Sequence, residues 1–287
     1  ASIFTSNNAL IVILKSSFTL NSASLGGVIY AESLSNLTMV NTSFNNNTSV
    51  GPAGVIYLLD GCMLKSINCT FMNNQASQGI CGGIYVTSYG NLYFIQSYIY
   101  NNKAISPAGF LYTDTFCNIT IIDSHFIANE ALRAPGGVAY FGSHNNIYVH
   151  NSHFLNNTSG SPGGALYTTK SSITVIASTF QFNIAQVYGA SISGDTQSNI
   201  SISGTSFYRN QVINTNGGGA IASSYGPGFV NITKSNFTEN YSTVSSPGGS
   251  LYFAADIKVI IADSLFRSNT AGLGGAIGAF SCSLSIY

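Results

Sequence analysis

The residues in this chain best able to do acid–base chemistry are its nine carboxylates: Glu32, Asp60, Asp114, Asp123, Glu130, Asp195, Glu239, Asp256 and Asp263. Hydrolysis or elimination on a polysaccharide needs two such groups on one face, often with a bound Ca²⁺ or a Lys or Arg beside them. The four histidines, His125, His144, His150 and His153, fall in one short stretch and are of a type that can ligate a metal. The five cysteines, Cys62, Cys69, Cys81, Cys117 and Cys282, contain no C-x-x-C, so neither a zinc site nor a thioredoxin-type pair is indicated. No Gly-x-x-x-x-Gly-Lys offers a phosphate loop. What these groups can do depends on which of them the backbone brings together.

The backbone is organised by a repeat. Phe18, Phe44, Phe71, Ile99, Phe126, Phe154, Phe180, Phe207, Phe237 and Phe266 each precede an Asn by three residues: Asn21, Asn47, Asn74, Asn102, Asn129, Asn157, Asn183, Asn210, Asn240 and Asn269. Successive units lie 26 to 30 residues apart. A pair of small residues keeps step, from Gly26-Gly27 through Ala53-Gly54, Cys81-Gly82 and Gly163-Gly164 to Gly274-Gly275. Counted back from the Phe position, minus seven and minus five are mostly aliphatic (Leu37 and Met39, Ile119 and Ile121, Ile173 and Val175), with a polar residue such as Thr38, Thr120 or Thr174 between them. Alternation of period two is the signature of a strand with one buried face. No segment carries the capped 3.6 periodicity of a helix.

A unit of this length, with two or three short strands and turns, predicts one coil of a parallel β-helix. Ten coils stacked at the usual strand spacing of about 4.8 Å make a rod on the order of 50 Å long. Each slot becomes a column: an internal Phe stack, an Asn ladder whose amides bond from coil to coil, and a tight corner at the small pair. The Tyr after the small pair (Tyr30, Tyr57, Tyr85, Tyr112, Tyr140, Tyr167 and Tyr252) makes a further column, broken at Ser193, Ala222 and Gly278. It reads as an aromatic wall, or as a stripe able to stack on sugars or on another subunit.

The columns decide what the chemical groups can do. Asp123 and Asp263 share a slot five coils apart, and Asp195 and Asp256 lie near one slot two coils apart. No two adjacent coils stack acids in one slot, so no catalytic residue, cofactor or metal site is assigned and the chain is read as not an enzyme. His125 and His153 share the slot before Phe, one coil apart and so about 5 Å from each other; they read as surface side chains rather than a metal pair. Cys62, Cys117 and Cys282 share a slot in non-adjacent coils, too far apart to bridge, whereas Cys62 with Cys69 or Cys81 is conceivable. Position minus six is too irregular for a flat ice-binding array of Thr.

The paired motifs, Phe-x-x-Asn with Gly163-Gly164-Ala165-Leu166 or Gly274-Gly275-Ala276-Ile277, resemble the repeats of the chlamydial polymorphic outer membrane proteins, and the resemblance runs the length of the chain. It implies a right-handed parallel β-helix on a cell surface, and a passenger of the autotransporter type acting as an adhesin. It carries no catalytic residues across. No C-terminal membrane β-barrel follows in this sequence, so the resemblance reaches the passenger alone.

Composition narrows the function further. Only 6% of residues are charged, nine basic against nine acidic, where soluble domains carry roughly 25%. No basic patch exists to recruit nucleic acid, and no apolar run is long enough for membrane insertion. Twelve Asn-x-Ser/Thr sequons accompany the polar surface. Registry sorts them. Asn47, Asn157 and Asn240 fall in the ladder slot and are expected to be buried. Asn41 and Asn68, at minus three, share an inward parity. Asn36, Asn118, Asn199 and Asn231 have outward parity, and Asn46, Asn156 and Asn236 lie near turns; these seven are the expected glycosylation sites. Covalent N-glycans imply a eukaryotic secretory route.

Residues 1–287 read as a single β-helix domain, a segment of a longer chain, with Ala1 starting part-way through a coil. The expected role is that of an extracellular, surface-displayed structural glycoprotein: a stiff rod in a filament, coat or appendage, self-associating end to end or side by side. A surface adhesin is the alternative, and a carbohydrate-active enzyme the second alternative.

Overall fold

A computed structural model describes residues 2–214, 217–243 and 245–287; Ala1, where the first coil was placed, lies outside them. The described residues form strands and turns only. All strand pairs are parallel, and each strand pairs with the equivalent strand of the next coil, four elements later in the chain up to Gln211–Val212 and three elements later from Ile221–Ser224 onward. This is a parallel β-helix. Each coil through Gln211–Val212 has four strands rather than two or three, and the two full coils after it have three. In one four-stranded coil they are Leu111–Thr115, Asn118–Ile122, His125–Ile127 and Glu130–Ala131. Stacked through the rod they make a first and a second wall of 11 strands, a third of 10 and a short fourth wall of 8. The fourth ends at Gln211–Val212; beyond it only single bridges join Gln211 to Tyr241 and Tyr241 to Thr270.

The core follows the predicted alternation. In the second wall Leu37, Met39, Ile119 and Ile121 are buried, while Thr38 and Thr120 face out. The Phe column fills the interior of the third wall, with stacked neighbours 4.5–5.2 Å apart from Phe126 through Phe266. Ile99 breaks the column. Phe110, from the first wall's entry, fills the space and meets Phe71 edge-on at 5.1 Å and Phe94 at 5.7 Å. Gly83, one coil earlier, leaves that space open, since a Cβ there would strike the Phe110 ring. A close-packed interior makes such changes compensate one another.

Single residues in the left-handed region turn the corners. In every coil the residue at minus three has positive φ (Asn41, Asn68, Gln96, Asp123, Asn151 and their equivalents), and so does the residue two after Phe (Asn46, Asn73, Asn101, Asn156 and theirs). Asn and Asp tolerate this conformation better than other side chains. Each such corner resets the alternation, so the following residue turns inward. The small pair works as expected at its first position, where Gly26, Gly136 and Gly163 have positive φ. Its second position is constrained by contact. A Cβ on Gly82 or Gly137 would overlap the carbonyl of Gly109 or Gly164 in the next coil.

The Asn column is the most regular feature of the interior. Each amide Nδ2 donates to Oδ1 of the next coil's Asn at 2.9–3.1 Å, in nine consecutive steps from Asn21 to Asn269. The same Oδ1 also accepts the backbone N–H of the preceding Asn, as Asn129 does from Asn102 at 3.0 Å. The second Nδ2 proton goes to the carbonyl of the preceding coil's Phe-slot residue, as from Asn157 to Phe126 at 2.9 Å. The residues from Asn47 to Asn240 in this column are completely buried, so these bonds replace those that water would have made.

A second polar ladder stands at minus two, just inside the first left-handed corner. Ser97, Ser124 and Ser152 each donate a backbone N–H to the hydroxyl of the next coil's residue at 3.1 Å. Thr42, Ser178, Thr205 and Ser235 hold the same buried place in other coils. All five cysteines are unpaired thiols, so neither Cys62–Cys69 nor Cys62–Cys81 is a bridge. Burial pushes the Cys117 thiol up to about 11 and raises Cys81 further, which keeps both protonated and unreactive.

Candidate functional site: the outer faces of the rod

With the interior filled, function falls to the outer faces. The sequon asparagines are distributed unevenly over them. Asn36, Asn118 and Asn199 occupy the same register position at the start of second-wall strands, each three strands from the next. Spacing of about 4.8 Å per strand puts them about 14 Å apart along one line. All three are exposed, and Asn118 Nδ2 rests on Asn91 Oδ1 at 3.1 Å. Asn231 lies on the same wall, half-buried. Asn46 and Asn156 are exposed at the left-handed corner between the third and fourth walls, and Asn236 is exposed on the third wall. Asn47, Asn157 and Asn240 are ladder members with no exposure.

Asn41 and Asn68 depart from their expected inward parity. Both are exposed, and Asn68 Nδ2 donates to Asn41 Oδ1 at 2.6 Å. The cause is the left-handed corner, which they occupy with φ of 50° and 49°; the buried partners are Thr42 and Cys69, one residue on. No sequon asparagine stands on the first or fourth wall among the described residues.

The first wall carries the tyrosines. Tyr30, Tyr57, Tyr85, Tyr112 and Tyr140 are half-buried on its outer side, with ring centroids 5.0–5.4 Å apart and planes within 8° of parallel. Each ring covers its neighbour's face, so the stripe presents edges and hydroxyls. A pyranose ring needs a free face to stack on, and this column offers edges instead. The inner flank of the stripe packs on Ala53, Cys81 and Ala108 of the small pairs. Burial, reinforced by neighbouring phenols and Asp114, pushes Tyr85 up to about 12 and Tyr112 further. Where the column breaks at Ser193, Tyr167 donates to Asp195 Oδ2 at 2.7 Å, and Tyr188 lies across the wall, stacked on Tyr252 and bonded to Tyr225.

A second aromatic column escaped the sequence reading. Tyr89, Phe116 and His144 stack at 5.3 and 4.8 Å on the corner between the first and second walls, all three in the left-handed region. Tyr89 is 60% and Phe116 47% exposed. A bulky side chain at positive φ is strained, and an equivalent corner is made by Gly61. The available signal was their common place, ten residues before the Phe slot. Around the same coils Tyr93, Tyr98 and Tyr148 are also exposed.

The acids remain dispersed. Asp123 sits at a left-handed corner and accepts from Asn151 Nδ2 at 2.7 Å, and Asp195 is engaged by Tyr167 and by the N–H of Thr196. Among the described residues two ion pairs, Lys103–Glu130 and Arg209–Glu239, join neighbouring coils on the outside. His125 and His153 stack as the registry predicted, with centroids 4.8 Å apart.

Residues 151–169, which include the Phe154/Asn157 unit and Gly163-Gly164, match the Chlamydia polymorphic membrane protein repeat. That matched repeat and the parallel β-helix fit the resemblance drawn from the sequence motifs. The match associates the chain with a surface or outer-membrane location. The chain is also similar to the metabotropic glutamate receptor-like protein R of Dictyostelium discoideum, 38% identical over 101 residues. That alignment covers 33% of this chain and 6% of the much longer receptor-like protein. No solved structure matches the chain.

Proposed function

We propose that this segment is a rigid, non-catalytic rod of an extracellular structural glycoprotein, displayed at a cell surface in a filament, coat or appendage. One observation carries the reading. The interior is given over to an uninterrupted ladder through ten coils, while the exposed sequon asparagines stand on the second and third walls and their flanking corners. Glycans there would supply the solubility that a chain with only 6% charged residues lacks. They would leave the first and fourth walls bare for side-by-side packing. The β-helical repeat and the surface association of its family support the location; the receptor-like relative is consistent with a repeat used outside the cell.

Intact-glycopeptide mass spectrometry on native material tests this. Glycans are expected on Asn36, Asn118, Asn199 and Asn231, with Asn46, Asn156 and Asn236 next, and none on Asn47, Asn157 or Asn240. Bare asparagines at every sequon would remove the glycoprotein reading and favour an adhesin instead. That second reading has an observation of its own. The strained, exposed stack of Tyr89, Phe116 and His144 is the kind of aromatic surface that recognises a partner.

A further inference from the structure

The outer face of the third wall has a column of small hydroxylated residues one position before the Phe slot: Ser17, Ser43, Thr70, then Thr179 and Ser206. In its middle stand Tyr98, His125 and His153, on adjacent strands and in direct register. The two imidazoles are exposed and lie 4.8 Å apart, within 9° of parallel. Beside them is a shallow depression of about 180 Å³, lined by both histidines, Ile127, Leu155, Thr179 and Gln181. We propose that His125 and His153 form a two-histidine binding site for a divalent transition-metal cation, Cu²⁺ being held most tightly.

Geometry and chemistry both favour this. Two imidazole nitrogens that share an ion at about 2.0–2.1 Å lie within about 4.2 Å of each other. Rings at 4.8 Å reach that separation by small rotations of two exposed side chains, without moving the backbone. The second ring nitrogen is provided for as well. His153 Nδ1 lies 2.6 Å from Thr179 Oγ1; with Nδ1–H as donor, Nε2 keeps its lone pair for a ligand. An outer hydrogen bond of this kind orients metal-bound histidines generally. Gln181, which lines the depression, can add an oxygen donor, and water completes the set. Among the described residues no third His, Cys, Asp or Glu joins the pair, which suits an open site of moderate affinity. Imidazole ligands and the general order of divalent affinities put Cu²⁺ ahead of Zn²⁺.

Titrating the intact chain with Cu²⁺ alone, by calorimetry and by electron paramagnetic resonance at neutral pH, tests the site. One equivalent should bind with the signature of two nitrogen ligands. His125→Ala and His153→Ala should each weaken it at least tenfold, with Zn²⁺ weaker than Cu²⁺ throughout. The pair variant His144→Ala/His150→Ala should bind as the parent does. Both ligand residues are exposed, so far-ultraviolet circular dichroism should show every variant folded. Absence of binding, or Cu²⁺ binding that survives His125→Ala/His153→Ala, would overturn the proposal. Glycan occupancy has no bearing on this outcome, so the site and the structural role stand or fall separately.

Discussion

The asparagine column inside the corner of the third and fourth walls and the tyrosine column outside the first wall share one repeat but differ in what they tolerate. The asparagines are present in ten coils of ten; the tyrosines give way to Ser193, Ala222 and Gly278. Each buried Asn amide closes bonds in two neighbouring coils and has no water to fall back on, so a replacement orphans groups above and below it. Each tyrosine from Tyr30 to Tyr140 is half-buried and chiefly covers its neighbours' faces. A regular spacing alone therefore does not mark an essential column; the number of buried partners does.

Asn129→Ala tests the stricter column. It removes four hydrogen bonds, two donated to Ile99 O and Asn157 Oδ1 and two accepted from Asn102. An orphaned buried group costs roughly 1–3 kcal/mol, so a loss of roughly 3–6 kcal/mol is expected. Denaturant unfolding measures it. A loss under about 1 kcal/mol would mean that the ladder is decoration on a core already sufficient.

An alkaline titration probes the other column as a set. Burial raises the folded-state pKa of Tyr57, Tyr85, Tyr112 and Tyr140. Their contribution is therefore complete below about pH 10, the usual tyrosine value, and falls as pH climbs toward and past about 12, where Tyr85 ionises in the folded rod. Thermal melts followed from pH 9 to 12 should show Tm falling above pH 10, with phenolate absorbance lagging until the rod opens. Simultaneous ionisation of all tyrosines near pH 10 in a still-folded rod would show that the stripe is fully solvated.

The smallest expected effect is that of Tyr112→Phe. The Tyr112 hydroxyl makes no hydrogen bond among the described residues, so its removal should change stability by less than about 0.5 kcal/mol. A larger loss would place the phenol oxygens in a network and bring the two columns closer in kind.

The contrast also explains what could be read from the sequence. Phe-x-x-Asn, the small pair and the aliphatic alternation each reflect a strict interior demand, and they placed the core, the buried sequons and the His125–His153 contact correctly. The parity of Asn41 and Asn68 failed because a strand rule was carried across a corner. The signal was there, in the Asn and Asp that recur at minus three and at plus two, residues at home in the left-handed region. The hydroxyl ladder was equally visible as Ser or Thr at minus two in nine coils of ten. The Tyr89–Phe116–His144 stack was harder to see, since only three coils carry it and ordinary propensity argues against bulky residues there.

The short fourth wall has a mechanical consequence. A stack of coils joined only to nearest neighbours behaves like springs in series: tension along the axis passes undiminished through every joint, and the weakest yields first. Through Gln211–Val212 each joint is held by four walls; beyond it the fourth wall is reduced to the single bridges at Tyr241 and Thr270. Pulled along its axis, the rod should part in that region, leaving the coils before it intact.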